Sequence, residues 1–363
     1  MKYGRKILSL CHAAVMCCLL FGAGMFTAVA DTFFDEGDFR YAVTSGDKLM
    51  AAKYLGSETG VTVPASVGDR QVTGVYSRCF ENSGVESVTL PEDCTVIGAF
   101  AFSGCRYLSE VIVPTSLTSI GIMAFSGCTA LRELDLSEAS ELSSVAYAAF
   151  SNCTSLEQVS FPDGLTVLGD DLFSGCTALQ TAKLPKRLTT ISGYAFYNCA
   201  SLKSIELPNG LQTIGELAFA GCSQLEEIDL PFTLTTLGAG CFQNDTALSG
   251  IFLPDSLTSI GMDILTPMSE QSAIDVTCYK DSHAEEYCLF GGVSNLYVVE
   301  KNEGDVDGDG NVNINDVTAI QKHLALISEY KSYRVLDLAD IERNGVININ
   351  DATRLQRRIA GME

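Results

Sequence analysis

Phenylalanine returns along this chain with a nearly fixed step. It stands at 80, 102, 125, 150, 173, 196, 219 and 242, at intervals of 22, 23, 25, 23, 23, 23 and 23 residues. Three residues after six of these come Cys105, Cys128, Cys153, Cys176, Cys199 and Cys222, and prolines 91, 114, 162, 185, 208, 231 and 254 punctuate the same period. Such a period restricts a chain to a solenoid or a repeat array, because one unit cannot bury its own apolar face and must stack on its neighbours. In the unit 199–219, Leu202, Ile205 and Leu207 point inward from a short strand, and Pro208 ends it because it has no amide to donate. Leu211 and Ile214 line the inner side of the next turn, Gly215 permits a bend, and Ala218 and Phe219 close the coil. Eight such units at one strand spacing each span on the order of 40 Å. The step of 25 carries Ser137 in place of the strand-ending proline, followed by Glu138-Ala139-Ser140-Glu141. That is a longer turn, or a bulge offered to a partner.

The period and its Ala-Phe-x-Gly-Cys turn resemble the BspA-type leucine-rich repeat over about residues 60–265. The resemblance implies a right-handed leucine-rich repeat solenoid of short parallel strands, with about 8–9 repeats of about 23 residues. Phe39 to Val63 alternates polar and apolar residues around Ser45-Gly46-Asp47, which reads as an N-terminal hairpin closing the coil. Val276 to Val299 resembles the family's terminal element: a strand, a Lys280-Asp281-Ser282 turn, a short helix at Ala284 to Cys288 and a last strand. The outward strand residues form a concave face in two columns. One runs through Thr89, Ile112, Asp135, Ser160, Lys183, Glu206, Asp229 and Phe252, and the other from Ser87 to Gly250. The face is either a plain solvated sheet or a recognition surface for a protein or glycan ligand, with Ile112 and Phe252 as its apolar anchors.

A second pattern occupies the last sixty residues. Asp305 to Asp316 and Asp340 to Asp351 are two twelve-residue loops, 35 residues apart (340 − 305). Oxygen side chains at loop positions 1, 3, 5, 9 and 12, with Gly at 6, suit a hard cation that takes about six to eight oxygen ligands. Position 12 is Asp, one methylene shorter than Glu, so the cation must sit closer to the backbone there. An amphipathic segment follows each loop, with Val317, Ile320 and Leu324 in the first and Ala352, Leu355 and Ile359 in the second. No helix precedes the first loop, since Leu296-Tyr297-Val298-Val299 reads as strand.

Two loop–helix units with terminal Asp and no entering helix resemble a type I dockerin, a small all-α module, from Gly304 to about Met362. The resemblance implies a first Ca²⁺ site at Asp305, Asp307, Asp309, Asn313 and Asp316 with the Asn311 carbonyl. It implies a second at Asp340, Glu342, Asn344, Asn348 and Asp351 with the Val346 carbonyl. Glu342 departs from the usual Asp or Asn, and Arg343 adds positive charge inside the loop, so the second site is weaker or differently coordinated. The family's partner positions fall on Ile314, Asn315, Gln321 and Lys322, and on Ile349, Asn350, Gln356 and Arg357. The near-identity of the two sets implies pseudo-twofold symmetry and two docking orientations on a cohesin domain of a scaffoldin. Alternatively, Ile314 and Ile349 simply pack the module's own core.

The N-terminus carries Lys2, Arg5 and Lys6, an apolar run from Ile7 to Val29 and then Ala28-Val29-Ala30. This reads as a signal peptide over residues 1–30, cleaved before Asp31. The expected order is then an N-terminal cap and first coil at 31–79, repeats at 80–265, a C-terminal cap at 266–299, a linker at 300–303 and the dockerin at 304–363. Removing the signal leaves a balance of 20 − 45 = −25 (23 Lys+Arg less three, against 45 Asp+Glu). So acidic a chain argues against nucleic acid and anionic membrane as partners. Eleven cysteines remain (14 − 3). Six recur at one structural position and are expected as a buried column of thiols, while Cys278 and Cys288 flank the cap turn and are the pair best placed for a disulfide.

No Gly-x-Ser-x-Gly, His-Glu-x-x-His or phosphate loop occurs, and the mature chain keeps only His283 and His323. The expectation is a secreted, non-catalytic binding protein held outside the cell or at its surface through a scaffoldin. The alternatives are an adhesin whose Ca²⁺ module is structural, and a polysaccharide-degrading cellulosome component.

Overall fold

The computed structural model describes residues 32–265, 274–291, 293, 295–306, 311–325, 337–344 and 346–362. The expected signal peptide and the expected ligands Asp307 and Asp309 lie outside these residues.

The N-terminal end is closed by a meander. Phe33–Glu36 pairs antiparallel with Phe39–Val43, which pairs antiparallel with Leu49–Tyr54. The turn between the last two holds Gly46 and Asp47 at positive φ and is fixed by the Thr44 amide on the Lys48 carbonyl at 2.8 Å. Leu49–Tyr54 then pairs parallel with Arg70–Val75, which hands the sheet on to the coils.

Each coil offers strands on two sides. On the first side lie three-residue strands such as Glu133–Asp135, Gln158–Ser160 and Thr181–Lys183, paired in parallel one coil apart. On the second side lie two-residue strands, among them Thr190–Ile191, Thr213–Ile214 and Thr236–Leu237, also parallel and in register. Sequence reading places Ile214 on a turn. It is instead a rung of this second ladder, because Leu211 and Ile214 are both fully buried and extended backbone there meets a partner coil on either side.

The first ladder has a gap where sequence predicts strand. Ile205, Leu207, Ile228 and Leu230 are buried as expected, yet residues 204–206 and 227–229 carry no ladder pairing. Outward neighbours bear on one step of this gap. Gln158 donates to Glu133, and Asp135, Ser160 and Lys183 follow one another in a column of mixed charge. In the gap, Glu206 and Asp229 occupy adjacent places in one column, and like charges on facing strands oppose pairing. Each ladder also breaks next to the step of 25, after Glu110–Ile112 and after Ser144–Val145, while the strands across the step itself stay paired, Ser119–Ile120 with Ser144–Val145 and Glu133–Asp135 with Gln158–Ser160. The extra residues form a turn closed by the Ala139 amide on the Leu136 carbonyl at 3.0 Å, with the Ala139 side chain buried.

The core runs unbroken through these gaps. The eight phenylalanines of the periodic series are fully buried, and successive rings stack with centroids 4.9–5.7 Å apart. Beside them runs the expected thiol column. Each of the six cysteines donates its thiol to the carbonyl of the phenylalanine one coil back, from Cys105 on Phe80 at 2.9 Å to Cys222 on Phe196 at 3.3 Å. Burial pushes the Cys128, Cys176, Cys199 and Cys222 thiols well up, so they remain neutral donors. All cysteines among the described residues, Cys278 and Cys288 included, are free thiols.

Two residues after each phenylalanine the backbone takes positive φ, and the position holds only Gly or Asn: Asn82, Gly104, Gly127, Asn152, Gly175, Asn198, Gly221 and Asn244. No two asparagines follow one another, because each Asn side chain leans onto the next coil. A β-carbon at Gly175 would lie 2.7 Å from the Asn152 Oδ1. Gly175→Ala is therefore expected to cost about 2 kcal/mol from left-handed strain and the clash together. Adding Asn152→Gly should return part of that loss in a thermal melt.

The C-terminal end is closed by Asp275–Tyr279, helix α1 (His283–Gly291) and Leu296–Val299, the two strands running parallel to Gly250–Leu253. Beyond it, helices α2 (Ile314–Leu324) and α3 (Ile349–Ile359) enclose a separate small core of Val306, Val317, Ile320, Ala339, Ile341, Ala352 and Leu355. Leu324 is half-buried and Ile359 exposed, so the third apolar position of each helix is peripheral.

Candidate metal centre and binding faces

The two acidic loops have the same internal wiring. Asn313 caps α2, its side chain accepting the Asn315 amide at 2.8 Å, while Asp316 accepts the Asn313 amide at 2.7 Å. Asn348 caps α3 through the Asn350 amide at 2.8 Å, and Asp351 accepts the Asn348 amide at 2.8 Å. This reciprocal box satisfies donors that a helix N-terminus otherwise leaves open. The second oxygen of each aspartate ties the start of the loop to its end, from the Val306 amide to Asp316 at 2.7 Å and from the Glu342 amide to Asp351 at 3.0 Å. The Asn311 and Val346 carbonyls each accept an amide hydrogen from the capping asparagine at 3.2 Å, so they face the loop interior.

The donor set fits a hard cation. Asp305, Asp316, Asp340 and Asp351 are buried in one small domain. Withdrawing that much negative charge from water calls for a compensating positive charge close by. The surrounding Asn side chains and turned-in carbonyls are the neutral oxygens that complete such a shell. Among the described residues no three His, Cys, Asp or Glu side chains converge on one point, so the carboxylates of the second loop would need the amide and carbonyl oxygens of Asn344, Asn348 and Val346 beside them. Arg343 does not keep its charge inside that loop: its guanidinium reaches Glu303, ahead of the first loop, at 2.9 Å.

All eight predicted partner positions are at the surface. Ile314 and Ile349 are 55% and 60% exposed and stand outside the small core, so neither serves to pack the module internally.

A family model described as the BspA type leucine rich repeat region matches six copies over residues 73–170 and 143–270, more than half of the chain. The chain belongs to the BspA-type leucine-rich repeat family. A second model, the dockerin type I domain, matches residues 303–360, and the chain ends in such a domain. Together they are the modules of a binding protein with a cohesin-docking unit, and both module types are typically non-catalytic and found in secreted or surface proteins. No helix among the described residues is long and apolar enough to cross a membrane.

Among solved structures, a leucine rich cell surface protein from Faecalibacterium prausnitzii A2-165 is similar at 20% identity, over 74% of this chain and 94% of that one, with a TM-score of 0.52. A T. pallidum leucine-rich repeat protein is similar at 28% identity, over 60% of this chain and 91% of that one, with a TM-score of 0.44. The first likeness shows the shared fold. No curated protein matches the chain.

On the BspA-type solenoid the two predicted anchors differ. Ile112 is 53% exposed on its strand. Phe252 is half-buried, because the ring of Tyr279 from the terminal cap packs edge-on against it at 5.1 Å. The sequence columns stop one coil short of Tyr279, which is why they leave Phe252 uncovered. Of the two histidines, His283 begins α1 beside Glu286 at 3.8 Å and His323 ends α2.

Sequence reasoning missed two largely shielded ionisable groups. One is Asp245, buried at the place where the thiol column calls for cysteine; the count of three after Phe242 marks it. The other is Lys301, taken as plain linker. Its ammonium lies 2.8 Å from both Asp255 and Asp337 and 5.0 Å above the Tyr279 ring. No local signal marks it, since its partners come from distant parts of the chain.

Proposed function

We propose that this is a secreted, non-catalytic binding protein that the dockerin attaches to a scaffoldin. The dockerin docks on a cohesin in a Ca²⁺-dependent way, and the BspA-type solenoid presents its concave face to a protein or glycan target. Asp305, Asp307, Asp309, Asn313 and Asp316, with the Asn311 carbonyl, would hold the first Ca²⁺. Asp340, Glu342, Asn344, Asn348 and Asp351, with the Val346 carbonyl, would hold the second. The cation supplies the positive charge that stabilises the buried carboxylates and orders the loops from which α2 and α3 start. The protein's own residues do the recognition.

The observation that carries this reading is the matched pair of exposed isoleucines, each at the start of a capped helix and each outside the module's core. An exposed apolar residue repeated by internal symmetry, with an amide beside it (Asn315, Asn350), makes a surface that loses water on docking. The test is calorimetric titration of the full chain with a panel of type I cohesins, in Ca²⁺ and in EGTA. Binding that requires Ca²⁺ is expected. Ile314→Ser with Ile349→Ser should weaken it at least tenfold, whereas either change alone should be tolerated if both faces dock. Failure of every cohesin to bind the Ca²⁺-loaded chain would overturn the docking role.

A further inference from the structure

We propose that the dockerin loops and the end of the solenoid are thermodynamically coupled through a polar clamp centred on Lys301, so that a solenoid carboxylate, Asp255, tunes the loops' affinity for Ca²⁺. The inference rests on the cation-binding reading above.

The clamp joins three parts of the chain. Lys301 lies between Asp255, in the turn after the strand Gly250–Leu253, and Asp337, on the segment that leads into the second loop. It also lies over the ring of Tyr279 at the end of the strand Asp275–Tyr279. The lysine and Asp337 are largely shielded, with side chains 18% and 12% exposed. Burial opposes the lysine's charge, but the bonds to the two carboxylates outweigh it and hold its pKa above the usual lysine value. Two residues on, Glu303 accepts from Arg343 at 2.9 Å and from Arg358 at 3.1 Å. One residue further, the Gly304 amide donates to the Leu338 carbonyl at 3.1 Å. Gly304 has φ +96°, and a β-carbon there would lie 2.7 Å from Leu355, so the strap is also sterically fitted to the dockerin core.

The placement of these residues makes the coupling. Lys301 and Glu303 immediately precede Asp305, the first expected ligand of the first loop. Asp337 immediately precedes Asp340, the first expected ligand of the second, and Arg343 is inside that second loop. A cation that orders the loops therefore orders the clamp, and a closed clamp has already removed part of the conformational freedom that the loops must lose on binding. Coupling of this kind is reciprocal: whatever Ca²⁺ does for the clamp, the clamp does for Ca²⁺. Asp255 can act only by this route, since it belongs to the solenoid and is no candidate ligand.

The test is Ca²⁺ titration of the full chain by calorimetry, comparing the natural protein with Asp255→Asn, Lys301→Met and Asp163→Asn. The last removes one carboxylate from an exposed solenoid pair, with Lys186 at 2.9 Å, and so controls for the loss of one negative charge. Asp255→Asn and Lys301→Met are each expected to weaken Ca²⁺ binding by about fivefold relative to Asp163→Asn. Small-angle scattering of the Ca²⁺-loaded proteins should show a larger maximum dimension for both clamp variants. Affinities for Asp255→Asn and Lys301→Met equal to that of Asp163→Asn would overturn the coupling and leave the cation reading intact. No Ca²⁺ uptake by the natural chain would overturn both. Thermal melts of the solenoid transition check that the variants keep their coils.

Discussion

Replacing Asp245 by Cys is expected to raise the melting temperature of the solenoid by about 5–10 °C at pH 8 and by much less at pH 4. Asp245 stands three residues after Phe242, the place that a thiol fills in six earlier coils. Each of those thiols donates to a phenylalanine carbonyl one coil back, whereas a carboxylate has no proton to give the Phe219 carbonyl. The Asp245 side chain is 2% exposed, and neither of its carboxyl oxygens has a hydrogen-bond partner among the described residues. Burial raises its pKa to about 8, against the pull of the nearby Cys222 and Gly221 amides. Those amides are already committed to the Phe219 and Gln243 carbonyls at 3.0 and 2.8 Å.

The sign follows from the two pKa values. The group binds its proton up to about 8 in the fold but only to about 3.8 in the unfolded chain. Stability is therefore unaffected below 3.8 and falls as the pH rises towards 8, by up to about 1.4 kcal/mol per pH unit, with the full cost present above 8. On the order of 3 kcal/mol is recovered at pH 8 by a thiol that stays neutral and has a carbonyl waiting for it. Thermal melts of the natural and Asp245→Cys proteins across pH 4–8 check this, and two parallel pH profiles would sink the account.

Phe173→Ala is expected to cost about 3–5 kcal/mol and to damage more than its own coil. Phe173 stacks between Phe150 at 5.6 Å and Phe196 at 5.4 Å, and Phe161 packs edge-on at 5.9 Å. Removing it opens a cavity and breaks three ring contacts at the middle of the array. Phe242→Ala, at the end of the stack with one ring neighbour among the described residues, at 5.7 Å, should cost about 1 kcal/mol less. Stability in a solenoid is carried by contacts between neighbouring coils, so the central variant should unfold in two steps in urea where the natural solenoid unfolds in one. A single transition with its midpoint unmoved would contradict a core held together by the ring stack.

The repeat was legible because every coil solves the same packing problem with the same residues, so Phe, Cys and the Gly or Asn turn recur in phase. The acidic loops were legible because oxygen spacing is a local property of twelve residues. Thr213 and Ile214 were less so, since two-residue strands leave no alternation to read. The unpaired run at 204–206 was illegible because it carries the same inward apolar residues as the paired runs. Phe252 was misjudged because its cover, Tyr279, comes from the cap rather than from the repeat. The Lys301 clamp was illegible for a related reason: Asp255 lies 46 residues before it, and nothing in either local sequence announces the meeting.

The ring stack has a consequence for reach. Its step stays within 4.9–5.7 Å from Phe80 to Phe242, interrupted ladder or not. The solenoid is thus a graduated rod, with the N-terminal meander at one end and the clamped dockerin at the other. Inserting or deleting one whole coil would move the far end by one graduation and leave both ends unchanged. How far from its attachment point such a protein presents its face is set in whole coils, and coil number can change that distance without redesigning either terminus.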